Sequence, residues 1–182
     1  MSFEHLYKTY WDKFDARDYG GLTSRVRGYL FATMLPGNFE MPKPTNKNNI
    51  PIWDLLNFDE RIASGELRDI THTSSLQDGL KTGRARLIKR DSLFSPTILK
   101  TNSRQNKDSI YIFDDTTNKY HFASNKLLAE LMNIKMNFNA VSSVVEGEII
   151  GQSVEIPLHE ALLDSINKHL IQSKQILSNK LF

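Results

Sequence analysis

Cysteine is absent from the 182 residues of this chain, which excludes a disulfide framework, thiolate zinc sites and cysteine nucleophiles together and suits a reducing compartment. Long apolar runs are missing as well. Stretches such as 109–113 are far shorter than the ~20 residues that cross a bilayer, so no membrane-spanning helix and no membrane partner are expected. The opening Met1-Ser2-Phe3-Glu4-His5 has neither the basic-then-apolar order of a secretory leader nor the arginine-rich pattern of a transit peptide. A chain of this length can bury roughly 70% of the surface it exposes when unfolded and needs no staple. One soluble domain over 1–182 is expected, with extended loops near 36–51 and 91–108.

Signatures of catalysis are equally scarce. None of the five histidines, His5, His72, His121, His159 and His169, belongs to the H-E-x-x-H pattern that sets two metal ligands on one helix face. His159-Glu160 begins that pattern, but Leu163 stands where the second histidine is required. Gly79-Leu80-Lys81-Thr82-Gly83 contains the Lys-Thr of a phosphate-binding loop without its upstream glycine or a preceding apolar strand. His72, Ser74 and Asp78 have the residue types of a hydrolytic triad, but triads are defined by geometry and such residues meet by chance in one polar stretch. No catalytic, cofactor or metal site is expected, and the chain reads as a protein that is not an enzyme.

Charge is present but uneven. The formal net charge is only +2, yet Lys81, Arg84, Arg86, Lys89, Arg90, Lys100, Arg104 and Lys107 are opposed within 81–107 by Asp91 alone, which leaves that segment at +7 and the remainder near −5. Phosphate contacts need cations within reach of a polyanion and no fixed spacing, so these eight residues are the candidate contact with nucleic acid or an acidic partner. The same charges suit a solvated loop or an ion-paired surface between subunits. Phe94 is the one aromatic residue inside the segment, which argues against single-strand stacking and for proximity to a duplex backbone.

The periodicities predict an α+β fold. Phe3, Leu6, Tyr7, Tyr10, Trp11 and Phe14 recur at three- and four-residue spacing, and Val26, Leu30 and Met34 follow after Gly20-Gly21, so a helical hairpin is expected first. Trp53, Leu55, Leu56, Phe58, Ile62 and Leu67 predict a short helix, while 71–75 reads as a polar spacer and 84–89 as a strand. Ile110, Tyr111, Ile112 and Phe113 face Tyr120, His121 and Phe122 across an Asp- and Thr-rich turn, the pattern of an antiparallel β-hairpin. A helix over 125–132 and strands over 144–150 and 154–156 are predicted next. After Pro157 the residues Leu158, Leu162, Leu163, Ile166, Leu170 and Leu177 predict a long terminal helix.

The segment 110–122, followed by Val154-Glu155-Ile156-Pro157-Leu158-His159 and the terminal helix, resembles the connector proteins of short-tailed bacteriophages, also called neck ring or tail tubular proteins. The resemblance covers the last 75 or so residues, and the amino-terminal half has no matching motif. It implies a structural virion protein: a head-to-tail connector subunit, homo-oligomeric in a closed ring around the DNA channel, meeting portal and tail proteins after assembly in the host cytoplasm. It carries no catalytic or ligand-binding residues. Within that reading the hairpin has apolar side chains on both faces, and Tyr111 and Phe113 are the candidate subunit interface. Two other readings stay open: a small non-catalytic nucleic-acid-binding accessory protein, and an enzyme built from dispersed residues.

Overall fold

The computed structural model describes residues 6–45, 47–136 and 138–179; Phe3 and His5 lie outside them. The aromatic first segment is extended, where the spacing predicted helices. β1 (Lys8–Asp15) and β2 (Val26–Thr33) pair antiparallel, with Lys8 opposite Thr33 and Asp15 opposite Val26. The reason lies in parity. Val26, Leu30 and Met34 are four apart, and an interval of four is even, so it returns to the same face of a strand as well as of a helix. Aromatic and β-branched residues then favour the pleated surface. A 3-10 turn (Ala16–Tyr19) follows β1, anchored by the Asp15 carboxylate, which accepts from the Arg17 amide at 3.1 Å.

The second sheet holds four strands in the order β3 (Arg68–Asp69), β6 (Lys119–Phe122), β5 (Ile110–Asp114), β4 (Arg86–Ile88). β5 and β6 form the predicted hairpin, with Tyr111 opposite Phe122 and Asp114 opposite Lys119, while β4 joins β5 in parallel. Strand alternation sends Ile110 and Ile112 into one core with Ile52 and Trp53 of α1 (Ile52–Leu55), Phe58 of α2 (Phe58–Ala63) and Leu127, Leu128 and Leu131 of α4 (Asn125–Leu131). The opposite face of β5 presents Tyr111 to Ile70 and to Leu76 of α3 (Ser74–Lys81). The stretch expected to be a spacer therefore runs into the helix that covers that face.

The region expected to hold strands over 144–150 is helical instead: α5 (Ser143–Gln152) starts at Ser142, whose hydroxyl accepts from the Val145 amide. Two glycines explain its position. Gly147 and Gly151 lie on one side of the helix, and a Cβ at Gly151 would meet the backbone of Leu99 and Lys100 at about 2.5 Å, so α5 packs almost backbone to backbone against that segment. The turn at Ser153 and Val154 leads into α6 (Ile156–Ser178), the predicted terminal helix with proline in its first turn.

α6 carries the hairpin. Phe14 and Tyr19 pack on Leu158 and Leu162, and further along Thr33 Oγ1 lies 3.2 Å from His169 Nε2. Phe39 completes this side by stacking on Phe31 with ring centroids 4.0 Å apart. The predicted stripe splits in two: Leu162 is buried and Ile166 half-buried, whereas Leu163, Leu170 and Leu177 are exposed. No helix among the described residues is long and apolar enough to cross a membrane. The α+β class is thus the observed one, with a β-hairpin in place of the helical one.

Candidate functional site

The basic segment does not form one free cationic surface. Arg84 makes a bidentate pair with Asp108 at 2.5 and 2.6 Å, and Arg104 pairs with Glu148. Arg90 donates to Asp59 at 2.9 and 3.0 Å and to the buried Asp114 at 3.1 Å, while its guanidinium lies 4.3 Å from the centre of the Trp53 ring. These carboxylates hold the Arg90 guanidinium above its ordinary pKa, Asp59 first. Arg86 is half-buried and donates to the Asp108 carbonyl at 2.6 Å, to the Thr97 carbonyl and to Asn102 Oδ1 at 3.2 Å. Every acidic partner lies outside 81–107 in sequence, so the arginine charges are offset only in three dimensions. Lys81, Lys89, Lys100 and Lys107 remain exposed and form no ion pair among the described residues.

The other proposed contact residues also have definite places. Tyr111 is fully buried under α3, with its hydroxyl donating to the Asn106 carbonyl at 2.6 Å. Phe113 is half-buried against Tyr120, ring centroids 4.7 Å apart. The tyrosine ring thus sits inside this chain's own core, on the opposite side of β5 from Ile110 and Ile112.

A buried ionisable cluster that the sequence reading missed joins the hairpin to the helices. Arg25, directly before β2, is buried and donates to the Ile98 carbonyl at 3.0 Å and to the Gly151 carbonyl at 3.2 Å. It fastens β2 to the C-terminal end of α5, where carbonyls are left without helical partners. Burial lowers its pKa, with Arg27 acting in the same direction and Glu155 opposing. Glu155, the residue before α6, is 2% exposed; its Oε1 accepts from the Thr23 amide at 2.9 Å, and its Oε2 has no hydrogen-bond partner. Burial pushes this carboxyl up to about 7, against the opposing pull of the Thr23 amide and the Arg25 charge. A Cβ at Gly21 would stand 2.7 Å from the Ala16 carbonyl and 2.9 Å from Glu155, so only glycine lets the carboxylate approach this closely.

Beside this cluster lies an open cleft of about 420 Å³, lined by Gly21, Leu22, Leu56, Ile134, Lys135 and Glu155 among others. A carboxyl that titrates near neutrality can take up or release a proton there, or accept a hydrogen bond from a polar guest. Among the described residues no group of three or more His, Asp or Glu is placed to hold a metal ion. The one sequence signal for the cluster is an acidic residue isolated between Val154 and Ile156, directly ahead of a proline turn. Its partners Thr23 and Arg25 are more than a hundred residues away.

No family model and no curated protein sequence matches this chain. Solved structures do. The S. pombe Dnmt2 methyltransferase superposes with a TM-score of 0.67 at 13% identity, over 90% of this chain and 57% of that one. The Entamoeba histolytica methyltransferase EhMeth gives 0.61 at 13% identity, over 93% of this chain and 55% of its own. These likenesses overturn the resemblance to phage connector proteins and, with it, the readings as a structural virion protein, a neck ring subunit and a chain without catalysis. The accessory nucleic-acid-binding reading finds no support in them either. What is shared at this identity is the fold, and this chain spans little more than half the length of the methyltransferase chains it resembles.

Proposed function

We propose that this chain is a component of a methyltransferase, forming part of the enzyme's fold together with further polypeptide. The observation that carries the proposal is the extent of the likeness: nine-tenths of the chain superposes on a methyltransferase. Methyl transfer needs an electrophilic donor held against its acceptor at contact distance and shielded from water. The principal clefts of this chain are of 340 to 420 Å³ and open to solvent, and their side chains do not converge on a closed donor site. They do not fit a methyl donor by themselves.

In this reading Arg25 and Glu155 are positioning residues. They lock β2, α5 and α6 into one arrangement, on which the remaining part of the enzyme is then built. The four exposed lysines of the 81–107 segment are the groups this chain offers to an acidic acceptor. The test is transfer of label from methyl-tritiated S-adenosylmethionine by the protein purified with whatever polypeptide it holds in its own source. Duplex DNA, RNA and unfractionated protein are supplied as acceptors in separate reactions. Label above the heat-inactivated blank in one acceptor class is expected; blank-level incorporation in all three contradicts the proposal.

A further inference from the structure

The two-stranded sheet is half covered. Register puts Tyr10, Phe14, Tyr29, Phe31 and Thr33 on the face that meets α6 and Phe39, and Thr9, Trp11, Lys13, Val26, Gly28, Leu30 and Ala32 on the other. On that second face Trp11 is 62% exposed, Leu30 68% and Val26 53%, and Trp11 stands directly opposite Leu30. Each strand is laddered to the other alone among the described residues, so each also presents an outer edge with unpaired backbone groups. An isolated pair of strands is marginal in water, and a sheet in an α/β arrangement is covered on both faces.

We propose that this bare face and its open strand edge dock the further methyltransferase polypeptide, a sequence different from these 182 residues, which adds at least one strand to the hairpin and covers Trp11, Val26 and Leu30. Two observations select that occupant over a second copy. The methyltransferase folds that this chain follows continue well beyond the match, which takes in only 57% and 55% of them, so the fold has further elements to place; the identity of the partner as the rest of a methyltransferase rests on the function proposed above. The second observation is charge. Lys13 lies on the bare face with its ammonium 5.7 Å from the Trp11 ring, and Asp15, the carboxylate on that face, is taken by Arg17 at 2.9 Å. A second copy would present the same face, with a free lysine and no free carboxylate to meet it, whereas a different sequence can supply one. Strand addition provides the backbone hydrogen bonds and the apolar face provides the specificity.

The experiment places the photo-crosslinker p-benzoylphenylalanine at position 11, 30 or 171 of the tagged full chain expressed in its own source, Ile171 being an exposed site on α6. Adducts are identified by mass spectrometry. Crosslinks from 11 and 30, but not 171, to one sequence outside these 182 residues that carries the remaining methyltransferase elements are expected. Adducts to a second copy of this chain, or none from 11 and 30, overturn the proposal. With the identified partner re-expressed, Trp11→Asp with Leu30→Asp is expected to weaken the complex by at least ~30-fold at an unchanged melting temperature. Should that pair disturb the fold, Lys13→Glu is read instead, with about a 10-fold loss expected and unchanged affinity counting against the proposal. The two readings fail separately. A complex that forms at this face but transfers no methyl group sinks the function alone, while methyl transfer indifferent to these variants sinks the docking face alone.

Discussion

The two sheets of this molecule treat their apolar side chains in opposite ways. In the four-stranded sheet Ile110, Tyr111 and Ile112 are all fully buried, because α4 lies beneath one face of β5 and α3 beneath the other. In the two-stranded sheet Phe14 is buried against α6 while Trp11, on the other face, is open to water. The strands are similar in composition, so the difference lies in the number of covering layers. One sheet is covered on both faces; the other has one face bare among the described residues.

Substitutions on the two sheets should separate sharply. Ile112→Asp places an unpaired carboxylate in the central core at a cost of several kcal/mol, comparable with the whole stability of a domain this size, and is expected to abolish the cooperative thermal melt. Leu30→Asp on the bare face is expected to stay within ~0.5 kcal/mol of the parent. Equal losses by circular dichroism would erase the contrast between the sheets.

The joint between the two regions should be sensitive to pH. The Glu155 carboxyl is raised from 4.5 to about 7 in the folded chain, so between those values the folded state binds a proton that the unfolded state has released. The stability this group contributes is full below pH 4.5, declines as pH rises to about 7 and is flat above it. Glu155→Gln keeps an acceptor for the Thr23 amide and removes the titration. Urea unfolding at pH 8 is expected to show the variant more stable by about 2 kcal/mol, with the difference gone at pH 4.5. A parent and variant with the same slope of stability against pH would show that this carboxyl does not govern the joint.

A smaller effect tests how the central body disposes of its charge. Arg90→Ala removes the guanidinium stacked on Trp53 and leaves the buried Asp114 without its arginine, at an expected cost of about 1 kcal/mol. Lys100→Ala, exposed and unpaired, should change stability by less than ~0.5 kcal/mol. If Lys100 proved the costlier of the two, the free and the consumed cations of the segment would have been misassigned.

Parts of this architecture were legible because they are local. Asp, Thr and Asn between two β-forming runs specified the β5–β6 hairpin, and proline followed by leucines specified the start of α6. The first hairpin was misread because intervals of four fit both periodicities and because apolar residues on both faces conceal the two-residue alternation. The second apolar face that misled the helix reading is the bare face itself. The charge balance of the basic segment was illegible for a different reason: the carboxylates that pair with it, Asp59, Asp108, Asp114, Asp115 and Glu148, come from other elements. Glu155 and Arg25 were invisible because a buried ionisable cluster assembled over 126 to 132 residues of separation leaves no spacing to read. The methyltransferase-like fold appears only in three dimensions, at 13% identity.

Amide hydrogen exchange on the free chain and on its complex with the crosslinked polypeptide tests the central contrast most directly. The account predicts that β5 and β6 exchange slowly in both samples, whereas the outward amides of β1 and β2 exchange readily in the free chain and become protected in the complex. Equal protection of both sheets in the free chain, with no change on binding, would contradict it.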